Sequence, residues 1–76
     1  MIQRVYVLEI LRQDGSGRVV RGHFAQTLGA AQRAAAGKYR LIGRWQPETA
    51  DPVVAALLSE SGERLARVVK ESLEYG

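Results

Sequence analysis

Apolar residues crowd positions 2–12, IQRVYVLEILR, and the run is rich in Val, Ile, Leu and Tyr, which predicts a strand. Ile2, Tyr6, Leu8 and Ile10 fall on one side of it and Val5, Val7 and Leu11 on the other. Both faces are therefore apolar at the middle, as suits a central strand better than an edge. Asp14-Gly15-Ser16-Gly17 then offers the positive-φ positions of a hairpin turn. Residues 18–25, RVVRGHFA, follow as a second, antiparallel strand in which Gly22 marks a bulge or a close backbone approach. Thr27 is a good N-cap, residues 28–36 (LGAAQRAAA) are helix formers, and Gly37 stands where helices commonly end. Leu28, Ala31, Ala34 and Ala35 share one face, small enough for the helix to sit close on a sheet. Residues 39–45, YRLIGRW, alternate again: Tyr39, Leu41 and Trp45 point one way, Arg40, Ile42 and Arg44 the other. They predict a third strand.

After a loop at 46–50, Asp51-Pro52 reads as an N-cap followed by proline at the first helical position. Val54, Leu57, Leu58, Leu65, Val68, Val69 and Leu73 then recur at spacings of three and four. The spacing predicts an amphipathic C-terminal helix over 51–74, continuous, kinked or split in two at Gly62, which costs about 1 kcal/mol in a helix. The order is β-β-α-β-α. A right-handed crossover and a hairpin turn that order into an antiparallel three-stranded sheet, 2-1-3. The expected architecture is one small α+β domain over 1–76: a basic hairpin–helix–strand unit at 1–46 and the helix at 51–74. That helix carries more apolar surface than such a sheet can cover. The excess favours a two-fold homodimer through it, against a monomer with the helix laid beside the first one.

Composition narrows the chemistry. Hydrophobic residues make up 46% and charged ones 25% of the 76-residue chain, the balance of a globular rather than a disordered protein. There is no cysteine, hence no disulfide, thiolate metal site or thiol nucleophile. A single histidine argues against a histidine-built zinc site. No metal and no cofactor are expected. No apolar run approaches the ~20 residues that span a bilayer, and the first residues enter strand alternation rather than a signal peptide. The expected setting is cytoplasmic, away from membranes.

Charge is unevenly spread. Residues 1–46 hold eight cations against Glu9 and Asp14, a balance of +6, and residues 47–76 carry −3. Nine of the eleven cations are Arg, which forks onto carboxylates and phosphates. Such a surface either meets an anionic partner or is simply solvated. If it is a working surface, Arg40, Arg44 and Arg21 on an open sheet face are its best candidates, with Arg4 or Arg12 from the central strand at its edge.

Other constellations are weaker. His23 has no carboxylate tied to it by spacing, and a strand histidine without one is ordinary structure. Glu60 with Glu63, and Glu71 with Glu74, would pair on one helix face and find Arg64, Arg67 and Lys70 nearby. Gly15-Ser16-Gly17-Arg18 lacks the Gly-Lys-Ser/Thr ending of a P-loop and precedes a strand. A helix-turn-helix around Gly62 would have a recognition helix with as many acids as bases. Tyr6, Phe24, Tyr39 and Trp45 lie in strands beside Arg, as in sheets that stack bases, but without that family's Lys/Arg-Gly-Phe/Tyr motif; core packing is the simpler role.

The short, cysteine-free, Arg- and Ala-rich chain resembles the small accessory proteins of phages and mobile elements. The hairpin–helix–strand layout of residues 2–45 is similar to that of some anti-CRISPR proteins. The resemblance implies a stoichiometric, non-enzymatic inhibitor that binds a CRISPR effector or nuclease, and it carries no site residues over. Two functions are therefore expected to compete. One is an interaction protein whose basic sheet face meets a protein partner with an acidic or nucleic-acid-bearing surface. The other is a small nucleic-acid-binding module using the same Arg residues on phosphates. A catalytic role is disfavoured: no residue set assembles one.

Overall fold

The turn after the first strand forms as its residues predict. Gly15 and Gly17 take φ of 80° and 73°, the Ser16 N–H donates to Asp14 Oδ1 at 2.9 Å, and the Arg12 N–H donates to the Arg18 carbonyl at 2.9 Å. It joins strand β1 (Ile2–Leu11) to the antiparallel β2 (Val19–Ala25). These details come from a computed structural model that describes residues 2–74, with side chains from residue 3 to residue 72. Helix α1 (Leu28–Gly37) begins at Thr27, whose Oγ1 accepts from the Ala30 N–H at 3.1 Å.

Beyond the helix the chain departs from expectation. Strand β3 is only Arg44–Pro47, not 39–45. Residues 39–43 are an irregular connection in which Arg40 adopts φ 54° and the Leu41 N–H donates to the Ala35 carbonyl at 2.9 Å. The facing holds even so: Tyr39, Leu41 and Trp45 pack on the core, while Arg40, Ile42 and Arg44 are exposed.

The predicted helix over 51–74 does not exist. Asp51-Pro52, a cis peptide, lies in a turn rather than at a helix start. Two strands follow, β4 (Val53–Leu58) and β5 (Arg64–Glu74), joined by a hairpin. Gly62 has φ 88°, its N–H donates to the Ser59 carbonyl at 2.9 Å, and the Ser59 N–H donates to the Glu63 carbonyl at 2.8 Å. The reason is burial on two sides. A strand covered on both faces is apolar without alternation and imitates a helix stripe. β5 places Ala66 and Val68 on one face and Val69 on the other, all of them buried.

The three-stranded sheet of order 2-1-3 with a β-β-α-β-α topology is thereby corrected. The sheet has five strands in the order β2-β1-β5-β4-β3, antiparallel throughout, with topology β-β-α-β-β-β and a single helix among the described residues. The α+β class stands. A homodimer through a C-terminal helix loses its element, because Leu57, Val68 and Val69 are sheet core. The Glu71–Glu74 helical pair falls with it, and the Glu74 side chain lies outside the described residues.

One sheet face is closed by α1. Ala31 and Ala35 sit against Leu8, Leu57 and Val68, all at most 1% exposed. Alanine lets the helix axis approach closely. The opposite face carries Val5, Val7 and Val69, with Val53 against them. β2 bulges at Gly22, the extra residue between His23, opposite Leu8, and Arg21, opposite Glu9. The Tyr39 hydroxyl donates to the Gly22 carbonyl, and a Cβ at Gly22 would stand 2.8 Å from that hydroxyl oxygen. A side chain at Gly22 would have to displace the end of the Tyr39 ring, so contact rather than φ favours glycine there.

Candidate functional site

The valine-bearing face, with no helix on it, is roofed by charge. Glu9 of β1 is 7% exposed. Its Oε1 accepts from Arg67 Nε of β5 at 2.7 Å, and its Oε2 accepts from Arg21 Nε of β2 at 3.4 Å. Arg21 also pairs with Glu71 of β5, and its guanidinium lies 5.8 Å from the Phe24 ring centroid. Register explains the reach. Val7 stands opposite both Phe24 and Val69, so a side chain running from Glu9 to Glu71 passes over it. Two carboxylates and two guanidiniums alternate across three strands, so Arg21 and Arg67 are both paired within the fold.

Of the five expected binding residues, Arg21 is thus held in ion pairs. Arg12 follows β1 and meets Asp14 at 3.7 Å. Arg4 is exposed on β1, opposite Ser72. Arg40 and Arg44 lie elsewhere, in the connection after α1 and on the edge strand β3, both exposed. The five do not form one surface.

A different cationic group does emerge. No Asp or Glu occurs between Asp14 and Glu48. Within that stretch Arg33, Lys38, Arg40 and Arg44 are exposed, and none makes an ion pair among the described residues. Lys38 lies 5.5 Å from the Tyr39 ring centroid. Beside Arg44 a groove of about 610 Å³ opens, lined by Ile42, Gly43, Gln46, Leu58, Ser59 and Glu60 among others. Ile42 is 88% exposed, more than Phe24 or Val20. Gly43 runs so close to the Leu58 carbonyl that a Cβ would collide with it, so only glycine lets the connection lie this near β4. Sequence reasoning named Arg40 and Arg44 but missed Lys38, Ile42 and the groove wall at 58–60. An aliphatic residue turned outward between two arginines was the available signal.

The remaining candidates dissolve. Glu60 and Glu63 belong to the β4–β5 turn and β5 entry, both exposed. Tyr6, Tyr39 and Trp45 pack on the core, leaving Phe24 exposed. His23 is half-buried opposite Leu8. Among the described residues no three His, Cys, Asp or Glu side chains are grouped to hold a metal ion, and no helix is long and apolar enough to cross a membrane. Asp14, on the exposed turn, has its carboxyl held below the usual aspartate value by hydrogen bonds from Ser16, a local turn effect. No protein-family model matches the chain, and neither a curated protein nor a solved structure matches it.

Proposed function

We propose that this chain is a non-enzymatic interaction protein that binds an acidic surface of a partner protein through Lys38, Arg40 and Arg44 and the groove beside them. One observation carries the reading: Arg21 and Arg67 are spent on Glu9 and Glu71, while Lys38, Arg40 and Arg44 make no ion pair among the described residues. Unpaired, exposed Arg beside an exposed aliphatic side chain is the composition of a recognition surface. The layout that resembles anti-CRISPR proteins suggests the form: an inhibitor that covers part of a nucleic-acid-processing complex. A cysteine-free chain suits the reducing cytoplasm. Protein is preferred to bare nucleic acid as the partner because three of the four strand-region aromatics are packed inward, leaving no stacking platform.

The test is capture of the partner from the native host, then titration of the purified pair. The double substitution Arg40→Glu with Arg44→Glu should leave folding intact and weaken binding at least tenfold, about 1.4 kcal/mol. Unchanged affinity overturns the reading. Tight, steeply salt-dependent binding of the free chain to random-sequence DNA or RNA would replace it with the nucleic-acid module.

A further inference from the structure

The sheet has two edges, and they are not equivalent. The β2 edge is interrupted by the Gly22 bulge, whose carbonyl is taken by the Tyr39 hydroxyl. Bulges of this kind blunt an edge against further pairing. The β3 edge has a defined polarity of its own. The Glu48 N–H donates to the Val54 carbonyl at 3.1 Å, which makes Glu48 an inward-bonded position of the β3–β4 ladder. Antiparallel alternation then turns the main-chain groups of Gln46 and Arg44 inward, and those of Trp45 and Pro47 outward. Pro47 therefore sits where its missing N–H costs no ladder bond. It also denies that half of the edge a donor. Trp45 is left with an N–H and a carbonyl facing solvent, although its side chain is anchored on the core.

The side chains flanking that free donor and acceptor belong to the basic group. Ile42 is almost wholly exposed, and Arg44 and Gln46 line the groove. From this we infer that the β3 edge is a strand-addition site for an extended acidic segment of the partner protein. The segment would exchange main-chain hydrogen bonds with Trp45, set carboxylates on Arg44 and Arg40, and place an apolar side chain over Ile42 and Leu58. Main-chain bonds supply affinity and alternate side-chain contacts supply specificity in such pairing. The charge of the edge selects the occupant. A second copy of this chain would bring Arg44 and Arg40 against the same residues, and like charges placed opposite each other destabilise a strand pair. Pro47 confines the pairing to the Ile42–Trp45 end. The inference rests on the proposed basic surface and adds the geometry of engagement.

The probe is a capped peptide of alternating Glu and Val, seven residues long, titrated into the isotope-labelled full chain, with its Lys/Val counterpart as control. The expected result is saturable amide shifts confined to residues 41–47 and the facing 58–60. Exchange of the Trp45 amide should slow at least tenfold at saturation. Arg44→Glu, an exposed change that leaves the core untouched, should weaken the peptide at least tenfold. No binding, shifts centred on 19–25, or equal binding of the Lys/Val peptide overturns the inference. So does concentration-dependent dimerisation through β3. If the Arg-dependent binding persists while the Trp45 amide exchanges freely, strand addition falls and the basic-surface reading stands. If the amide is protected and Arg44→Glu changes nothing, both the carboxylate contact and the basic-surface reading fall.

Discussion

Gly62→Ala distinguishes the hairpin from a helix by its sign. In a helix spanning 51–74, replacing a mid-helix glycine by alanine stabilises by about 1 kcal/mol. In the hairpin, Gly62 holds φ 88°, a left-handed conformation that costs an alanine about 1–2 kcal/mol. Nothing lies within 4 Å of an added Cβ there, so no steric clash contributes and backbone strain is the whole folded-state term. Alanine also stiffens the unfolded chain, which returns about 0.4–1 kcal/mol. The net expectation is a loss of up to about 1.6 kcal/mol, centred near 1, with Gly62→Asn losing less because asparagine tolerates this region. Urea unfolding followed by tryptophan fluorescence measures it. The midpoint should fall while the denaturant slope stays constant, and the thermal midpoint should drop by several degrees, since about 1 kcal/mol moves a domain of this size by 4–8 °C. A gain in stability, or an asparagine variant worse than the alanine one, would refute the turn and restore the helix.

Leu57→Ala removes a side chain that is 1% exposed beneath the helix and should cost about 2–5 kcal/mol in the same unfolding assay. Arg40→Ala, on an exposed connection, should stay within about 0.5. Glu9→Gln leaves Arg67 and Arg21 without their shared carboxylate; both guanidiniums can turn to water, so the loss should be about 1–2 kcal/mol rather than that of a sealed ion pair. A Glu9–Arg67 double-mutant cycle should show coupling above about 0.5 kcal/mol, and additivity would reject the roof. Ser16→Ala should raise the Asp14 titration seen by carbon NMR, since Ser16 is what holds that carboxyl low. The sign for stability follows. A depressed folded value stabilises above the ordinary aspartate range, and the contribution fades as pH falls through the lowered value. An unmoved Asp14 titration would assign the shift to the residue-16 backbone N–H, which alanine keeps.

The first half of the fold is written locally. Asp14–Gly17, Thr27 and the Ala-rich run at 28–36 each carry their own turn or cap chemistry, and the in–out facing of 39–45 survives even where the strand is shorter. The second half is written in partners. Val53–Leu58 has no alternation because Ala55 and Leu57 face the helix while Ala56 faces the other way, all buried. Asp51-Pro52 imitated a helix start so well that Ser59–Gly62, polar residues between two apolar runs, looked like a kink instead of a hairpin turn. Among site residues, the exposure of Arg40 and Arg44 could be read from their neighbours. The capture of Arg21 could not, because Glu9 and Glu71 reach it only through strand register set by the complete sheet.

The position of β5 has a kinetic consequence. It lies between β1 and β4, so it alone joins two halves, β2-β1 and β4-β3, that otherwise do not touch as neighbours in the sheet. Of the described strands, its partner β1 leaves the ribosome first and β5 last. Until β5 emerges, Val7 and Leu8 have one flank open, and two hairpins wait without a shared core. Closure across the length of the chain is slow relative to local contacts, and an exposed strand flank invites pairing with other chains meanwhile. The five-stranded sheet therefore closes only once β5 has been made and has paired with β1 and β4 together.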